Sequence, residues 1–330
     1  MKFRTEVEIP EFKKKLSYRQ QSLMVGSCFA ENIGVYLRER GLPVIVNPFG
    51  ILYNPFSIAN CLEMLMIQKK FTADDLFCSN GLYNSFSHHS RFSGTGVDAV
   101  LEQMNFGASE ASGYLKNGSH LFITFGTAWV FQYKQSGKVV SNCHKLPATN
   151  FNHNRLSVDQ ITDIWIPLIE QIKSLNPEIR LIFTVSPIRH LKDGAHANQI
   201  SKSTLLLAIE TLITFFGNEL ISYFPSYEIQ LDELRDYRFY ARDMAHPGEM
   251  ALEYIREKFV KAILDSEAQV IINEFEKLIQ ALNHKPFNFN EPAYITFVQT
   301  QIGRIEQLQT KYPFIDFHPM LKKFDEKTTS

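Results

Sequence analysis

A chain of 330 residues, of which 45% are hydrophobic and 13% aromatic, is long enough to bury a full core. Its formal net charge of -1 gives no electrostatic reason to expect DNA, RNA or an anionic membrane as a partner. The first ten residues carry charges and no apolar h-region, and no stretch has the roughly 18 apolar residues of a membrane span. The four cysteines, Cys28, Cys61, Cys78 and Cys143, show no C-x-x-C spacing. We therefore expect a reducing, cytoplasmic location.

The N-terminal half alternates short apolar runs with helical patterns. The run Ser22–Val25 ends in Gly26-Ser27, and apolar residues at helical spacing follow, which predicts a strand, a tight turn and a helix. A second strand is predicted at Pro43–Val46, followed by a helix over Ser57–Lys69 that Ser57 caps. Residues 70–96 are predicted to form a long surface loop, and residues 97–116 a further helix. This order of elements is typical of a parallel sheet.

The second half continues the alternation. The predicted strands are Leu121–Phe125, Ile179–Val185 and Leu220–Phe224, and a hairpin is predicted from Trp129–Tyr133 and Lys138–Asn142. The predicted helices are 157–175, which Ser157 opens, 201–216, and Pro247–Leu264, which begins with a proline. We therefore expect an α/β domain over residues 1–265, with the sheet covered on both faces. Residues 266–330 show no strand signal, and we expect them to form a helical appendage. Its two helices, Glu267–Asn283 and Tyr294–Thr310, are joined by the segment His284–Pro292.

Two short motifs carry candidate chemistry. Ser27 enters the first helix, and Asp243 and His246 lie three residues apart late in the chain, so that the carboxylate and the imidazole can face each other. A serine hydroxyl attacks only if a base takes its proton and a third group orients that base, so this set suits nucleophilic acyl transfer. Each residue also has a simpler interpretation, as an N-cap serine, a capping aspartate and an exposed histidine.

The pentapeptide Gly26-Ser27-Cys28-Phe29-Ala30 is the string that names the GSCFA family, and the chain resembles that family over roughly residues 1–265. The resemblance implies an SGNH/GDSL-like hydrolase fold, a three-layer α/β/α arrangement with a doubly wound parallel sheet. It also implies that Ser27 is the nucleophile of the first sequence block. Asp243 and His246 then stand in the last block.

An acyl-transfer enzyme also needs donors for the developing oxyanion. The Ser27 N–H is one candidate, and Gly50, after the second strand, is another. The SGNH pattern takes a third donor from an asparagine in a G-x-N-D block, but the corresponding stretch here is Gly126-Thr127-Ala128-Trp129. Asn142 or Thr127 is the remaining candidate, and for Gly50 and Asn142 plain turn chemistry is the alternative.

Other polar residues are weaker candidates. His88 and His89 lie in the long loop and either contact substrate or are solvated, and Arg189 follows the strand Ile179–Val185 at the edge where α/β folds bind ligands. A metal site that joins the loop histidines to His144 and His153 lacks a recognised ligand spacing, so no metal is predicted. Cys28 is expected to be a packing residue, although a thiolate nucleophile at a helix N-terminus is conceivable.

The leading hypothesis is a serine esterase or acyltransferase that needs no cofactor and acts on a small-molecule or carbohydrate ester. Ser27 attacks, His246 is general base and then general acid, and Asp243 orients it. The absent asparagine favours a second hypothesis, a non-catalytic ligand-binding module with the same fold. A third is an interaction protein whose helical tail is the working surface.

Overall fold

The computed structural model describes residues 4–284 and 292–328. The strands are β1 (Ser22–Gly26), β2 (Val44–Val46), β3 (Phe77–Ser79), β4 (Leu82–Asn84), β5 (His120–Phe125), β6 (Trp129–Tyr133), β7 (Val139–Val140), β8 (Phe151–Arg155), β9 (Arg180–Val185) and β10 (Ile221–Tyr223). The helices are α1 (Cys28–Glu39), α2 (Pro55–Met66), α3 (Val97–Asn117), α4 (Val158–Leu175), α5 (Ala195–Phe216), α6 (Ser226–Glu228), α7 (Glu249–Ile263), α8 (Ser266–Asn283), α9 (Pro292–Lys311) and α10 (His318–Thr328).

A parallel five-stranded sheet in the order β10-β9-β5-β1-β2 forms the centre of the protein, which confirms the predicted α/β fold class. The strand order reverses between β1 and β5, where Val25 is paired with Ile123 and Gly26 with Thr124. Every residue of these two strands is buried. Burial on both faces is expected of a parallel sheet that helices cover on both sides. Ligands of such sheets bind beyond the carboxyl ends of the strands at the reversal.

The two faces of the sheet have separate apolar cores. Leu121, Ile123 and Phe125 of β5 join the core formed with α2, α3, α4 and α5, whereas Phe122 joins the core formed with α1, α7 and α8. Helices α9 and α10 contribute buried side chains to that second core. The C-terminal helices therefore pack in the same core as α1 and α7, although the boundary expected at residue 265 does fall between α7 and α8.

Helices α2 and α7 begin at other residues than predicted because the chain uses other caps. Helix α2 begins at Pro55, and the Asn54 side chain accepts the Ser57 N–H at 2.8 Å, so Ser57 lies in the first turn. Proline suits the first helical position because its fixed φ fits the helix and its missing N–H needs no partner. Helix α7 begins at Glu249 after Gly248, since Pro247 instead forms a bridge with Tyr240.

Several short strands and the last helix were missed in the sequence. Residues 70–96 contain the antiparallel hairpin β3–β4, and β8 pairs with β6 in a second sheet of order β7-β6-β8. These strands are three to five residues long and carry no clean apolar alternation, so periodicity could not identify them. Helix α10 was also missed. Most of the expected linking segment, residues 285–291, lies outside the described residues.

A buried lysine joins the ends of two central strands. Lys202 of α5 has no exposed surface, and its Nζ donates to Gly126 O and Ser186 O, both at 2.7 Å. These carbonyls directly follow β5 and β9. Burial lowers the pKa of Lys202 from 10.5 to about 7, because the charged form loses its hydration.

This burial predicts a pH-dependent stability. Between the two pKa values of Lys202 the unfolded chain binds more protons, so the free energy of unfolding should rise with pH. The variant Lys202→Met lacks the titrating group. Urea denaturation should show the stability advantage of the native protein over this variant growing between about pH 7.5 and pH 9, by at most about 1.4 kcal/mol per pH unit. A difference that does not change with pH would contradict the shifted pKa.

Candidate active site

Ser27 lies at the point where β1 ends and α1 begins. Its side chain caps α1 by accepting the Phe29 N–H at 3.2 Å, and its own N–H donates to Thr124 O at 3.2 Å. Gly26 makes this approach possible, because a Cβ at that position would lie 2.2 Å from Thr124 O. The turn therefore holds Ser27 against the carboxyl end of β5.

Asp243 and His246 form a tight pair within one turn. Asp243 Oδ2 lies 2.6 Å from His246 Nδ1, and Oδ1 accepts the N–H groups of Ala245 and His246, each at 3.0 Å. The backbone N–H groups of His246 and Ala245, followed by the His246 side chain, lower the pKa of Asp243 to about 2. An ionised carboxylate can only accept, so Nδ1 carries the proton and Nε2 is left to act as a base.

Ser27 and His246 line the same cavity of about 540 Å³ at the carboxyl edge of the sheet. In the described residues no hydrogen bond joins the Ser27 hydroxyl to His246, whose side chain is 48% exposed. The cavity has an apolar wall supplied mainly by the second sheet: Trp129, Phe131, Val140, Leu146, Phe151 and Ile188. Charged side chains also line it, namely Arg189, Lys192 and Asp193. A cavity of similar size between α1, α7 and α8 contains none of the candidate residues.

Four of the predicted binding or oxyanion residues also line this cavity: His89, Thr127, Asn142 and Arg189. The Thr127 hydroxyl is 3.0 Å from Ser201 Oγ and accepts the Trp129 N–H at 3.1 Å. Asn142 Oδ1 accepts the His144 N–H at 2.8 Å. Both proposed third donors therefore reach the cavity, but each already makes local hydrogen bonds that shape its loop.

Gly50 and His88 are corrected by the structure. The Gly50 N–H donates to Asn47 O at 2.7 Å and closes a turn in which Gly50 has φ +82, so it is not free for an oxyanion. His88 has no exposed surface, and its ring stacks on Phe49 at 4.3 Å. Burial lowers the pKa of His88 to about 3, which keeps the ring neutral. His88 is a core residue and does not line the cavity.

In residues 4–284 and 292–328, no three histidine, cysteine or acidic side chains lie close enough together to hold a metal ion. His144 Nε2 lies 2.7 Å from Ser85 O, and His153 stacks on Phe131 at 4.4 Å. None of the helices in the described residues combines the length and the apolar character that a membrane span requires.

Cys28 points to a different neighbour from Ser27. Its Sγ lies 3.9 Å from the Tyr53 hydroxyl, and burial raises the pKa of the thiol. A raised pKa disfavours the thiolate, which is the reactive form of cysteine. The surroundings of Cys28 therefore support its interpretation as a packing residue.

Sequence reasoning missed two residues beside Ser27. Tyr53 O accepts the N–H groups of both Gly126 and Thr127, at 2.7 and 2.9 Å. His190 lines the cavity, and its ring lies edge-on to the Tyr53 ring at 5.8 Å. The position of His190 shortly after β9, at the ligand-binding edge, was the available signal, but only the folded structure shows its surroundings.

A comparison with curated protein sequences gives no significant match. Among solved structures, the chain is similar to an acetyl xylan esterase from the rumen bacterium Butyrivibrio proteoclasticus, with 13% identity and a TM-score of 0.37. The match covers 76% of this chain and 64% of the esterase chain, so the chain spans less than two thirds of that protein. The model of the GSCFA family matches residues 21–259, and that of the GSCFA domain protein, C-terminal domain, matches residues 275–330. The chain therefore belongs to the GSCFA family.

Proposed function

We propose that this protein is a serine esterase or acyltransferase of the SGNH-like type, with Ser27 as nucleophile. The observation that carries the proposal is that Ser27 and His246, from opposite ends of the α/β region, line one cavity, and His246 is held by an ionised Asp243. A serine, a base and an orienting carboxylate are the parts that acyl transfer needs.

In the proposed reaction the Ser27 hydroxyl leaves its cap bond with the Phe29 N–H and turns toward His246 Nε2. Its oxygen bonds to the ester carbon while its proton passes to Nε2, and Asp243 stabilises the resulting imidazolium. His246 then returns the proton to the departing alcohol. Water or an acceptor hydroxyl releases the acyl group from Ser27 by the same two steps, with His246 first as base and then as acid.

The cavity supports an ester with an apolar acyl part and a polar alcohol part. Aromatic side chains from β6 and β8 form one wall, whereas Arg189, Lys192 and Asp193 offer charged groups to a hydroxylated molecule such as a carbohydrate. A non-catalytic ligand-binding module is the second candidate. The cap bond that engages the Ser27 hydroxyl favours it.

Substitution at Ser27 should separate these candidates. Ser27→Ala should abolish hydrolysis of short p-nitrophenyl esters, whereas Cys28→Ala and Cys28→Ser should keep most of it, because burial raises the pKa of the Cys28 thiol and disfavours its reactive form. Loss of the cap should cost about 1 kcal/mol of stability, so circular dichroism and thermal unfolding must confirm that each variant is folded. If folded Ser27→Ala retains turnover, the nucleophile is misassigned. The absence of Ser27-dependent turnover in the native protein would favour the binding module.

Asp243→Asn should lower kcat by a factor on the order of 10⁴ with little change in KM, because the imidazole loses the acceptor that sets its tautomer. Asp236→Asn is a matched control. Asp236 is also exposed, and it also caps a turn, by accepting the Arg238 N–H at 2.9 Å, but among the described residues no hydrogen bond or ion pair joins it to a histidine. The control should keep native kcat. Equal kcat in both variants would remove Asp243 from the mechanism.

A further inference from the structure

The backbone N–H groups expected to bind the oxyanion of the proposed reaction already have acceptors. The Ser27 N–H donates to Thr124 O, and the N–H groups of Gly126 and Thr127 both donate to Tyr53 O. The Gly50 N–H closes its own turn, and the Gly126 block has no asparagine. Of the expected donors, only the side chains of Thr127 and Asn142 line the cavity, and both already make local hydrogen bonds. A donor outside the sequence pattern is therefore worth seeking beside Ser27.

Gly126 leaves a small space open between Ser27 and His190. A Cβ at position 126 would lie 3.3 Å from His190 Nε2 and 3.4 Å from Ser27 Cβ. It would also lie 2.9 Å from Tyr53 O, which is closer than real Cβ atoms come to a backbone oxygen. The serine and the histidine thus flank one space, and any side chain at position 126 would fill it.

His190 turns an unused nitrogen toward this space. Its Nε2 is buried and has no hydrogen-bond partner among the described residues. The residue itself is fixed, since its backbone N–H donates to Asn198 Oδ1 at 2.8 Å and its ring packs edge-on to Tyr53. Buried polar atoms in native proteins normally have partners, so an unpartnered nitrogen beside a candidate nucleophile requires an explanation.

The charges around His190 keep its ring neutral. Burial is the main cause that lowers the pKa of His190 to about 3, and electrostatic interactions with Lys202 and His246 act in the same direction. Lys202 Nζ is held by the carbonyl of Gly126. A neutral imidazole with so low a pKa is a poor general base near neutral pH, but it retains one N–H that can donate.

We propose that the neutral imidazole of His190 donates its Nε2–H to the oxyanion that forms when Ser27 attacks the ester carbonyl. The inference rests on the proposed function. As the bond from Ser27 Oγ to the carbonyl carbon forms, the carbonyl electron pair moves to its oxygen and the serine proton goes to His246. His190 keeps its own proton throughout. It fills the role that an asparagine has in the G-x-N-D block.

The test compares His190→Ala with His190→Gln by steady-state hydrolysis of p-nitrophenyl esters across a range of pH. Glutamine keeps an N–H donor and cannot titrate. His190→Ala should lower kcat by about 10²- to 10³-fold with little change in KM, as expected when an oxyanion donor is removed. His190→Gln should stay within about tenfold of native kcat and keep the native acid limb of the pH profile. His196→Ala, at an exposed histidine in the first turn of α5, is the control that should match the native protein.

A second measurement needs no variant. In a crystal structure of the native protein whose Ser27 carries an organophosphonate, a phosphonyl oxygen should lie about 2.7–3.1 Å from His190 Nε2. A phosphonyl oxygen beyond hydrogen-bond distance of Nε2 would overturn the inference.

The kinetic outcomes separate this inference from the function on which it rests. Folded His190→Ala with native kcat, in a protein whose turnover still requires Ser27, would refute the His190 donor and leave the esterase proposal standing. A His190→Gln variant as impaired as His190→Ala, with an altered acid limb, would mean that His190 is a base and would also refute it. Native protein without Ser27-dependent turnover would overturn both proposals.

Discussion

The close approach of β1 to β5 is the constraint on which the site depends. Gly26 has φ +138, and a Cβ at this position would lie 2.2 Å from Thr124 O, so a residue with a side chain would clash. Glycine therefore lets the two strands end side by side. This approach brings Ser27 to the carboxyl end of β5 and sets Gly126 next to it. Because the strand order reverses here, the loops that follow β1, β5 and β9 open onto a single cavity.

Two of the histidines that line the cavity lie in contrasting environments. His246 is half-exposed and paired with an ionised Asp243, which is the arrangement that the proposed reaction needs in its base. His190 is held neutral by burial and by the nearby Lys202. Pairs of titratable groups with opposed environments mark divided roles in acid–base catalysis. One histidine is thus suited to move the proton, and the other to bind the charge that this movement creates.

Much of the fold could be predicted because the central strands are continuous apolar runs bounded by turn residues. The placement of Ser27 between β1 and α1 follows from the same pattern. The short strands β3, β4 and β8 were not predicted, since their side chains have no regular alternation, and β8 pairs with β6 although β7 lies between them in the chain. The part of the aromatic wall that β8 supplies, Phe151, was therefore also missed.

Site residues could be predicted from the sequence where a short motif contains them, as for Ser27, Asp243 and His246. They could not be predicted where their availability depends on hydrogen-bond and packing partners in the folded protein. A glycine in a turn and a histidine in a loop look available in the sequence, but the Gly50 N–H is bonded to Asn47 and His88 stacks on Phe49. His190 shows the reverse case. Nothing in its sequence context indicates a buried nitrogen without a partner, because that property depends on residues distant in the chain, such as Tyr53 and Gly126, that pack around the ring.

The central claim is that His246 activates Ser27 as a nucleophile. The most direct measurement is the rate and site of covalent labelling by an organophosphonate, followed by mass spectrometry of the peptides, in the native protein and in His246→Ala. We expect a single label on Ser27 in the native protein and a rate slower by several orders of magnitude in the variant, because the base is gone. Labelling at Cys28, no labelling at all, or an equal rate in both proteins would contradict the account.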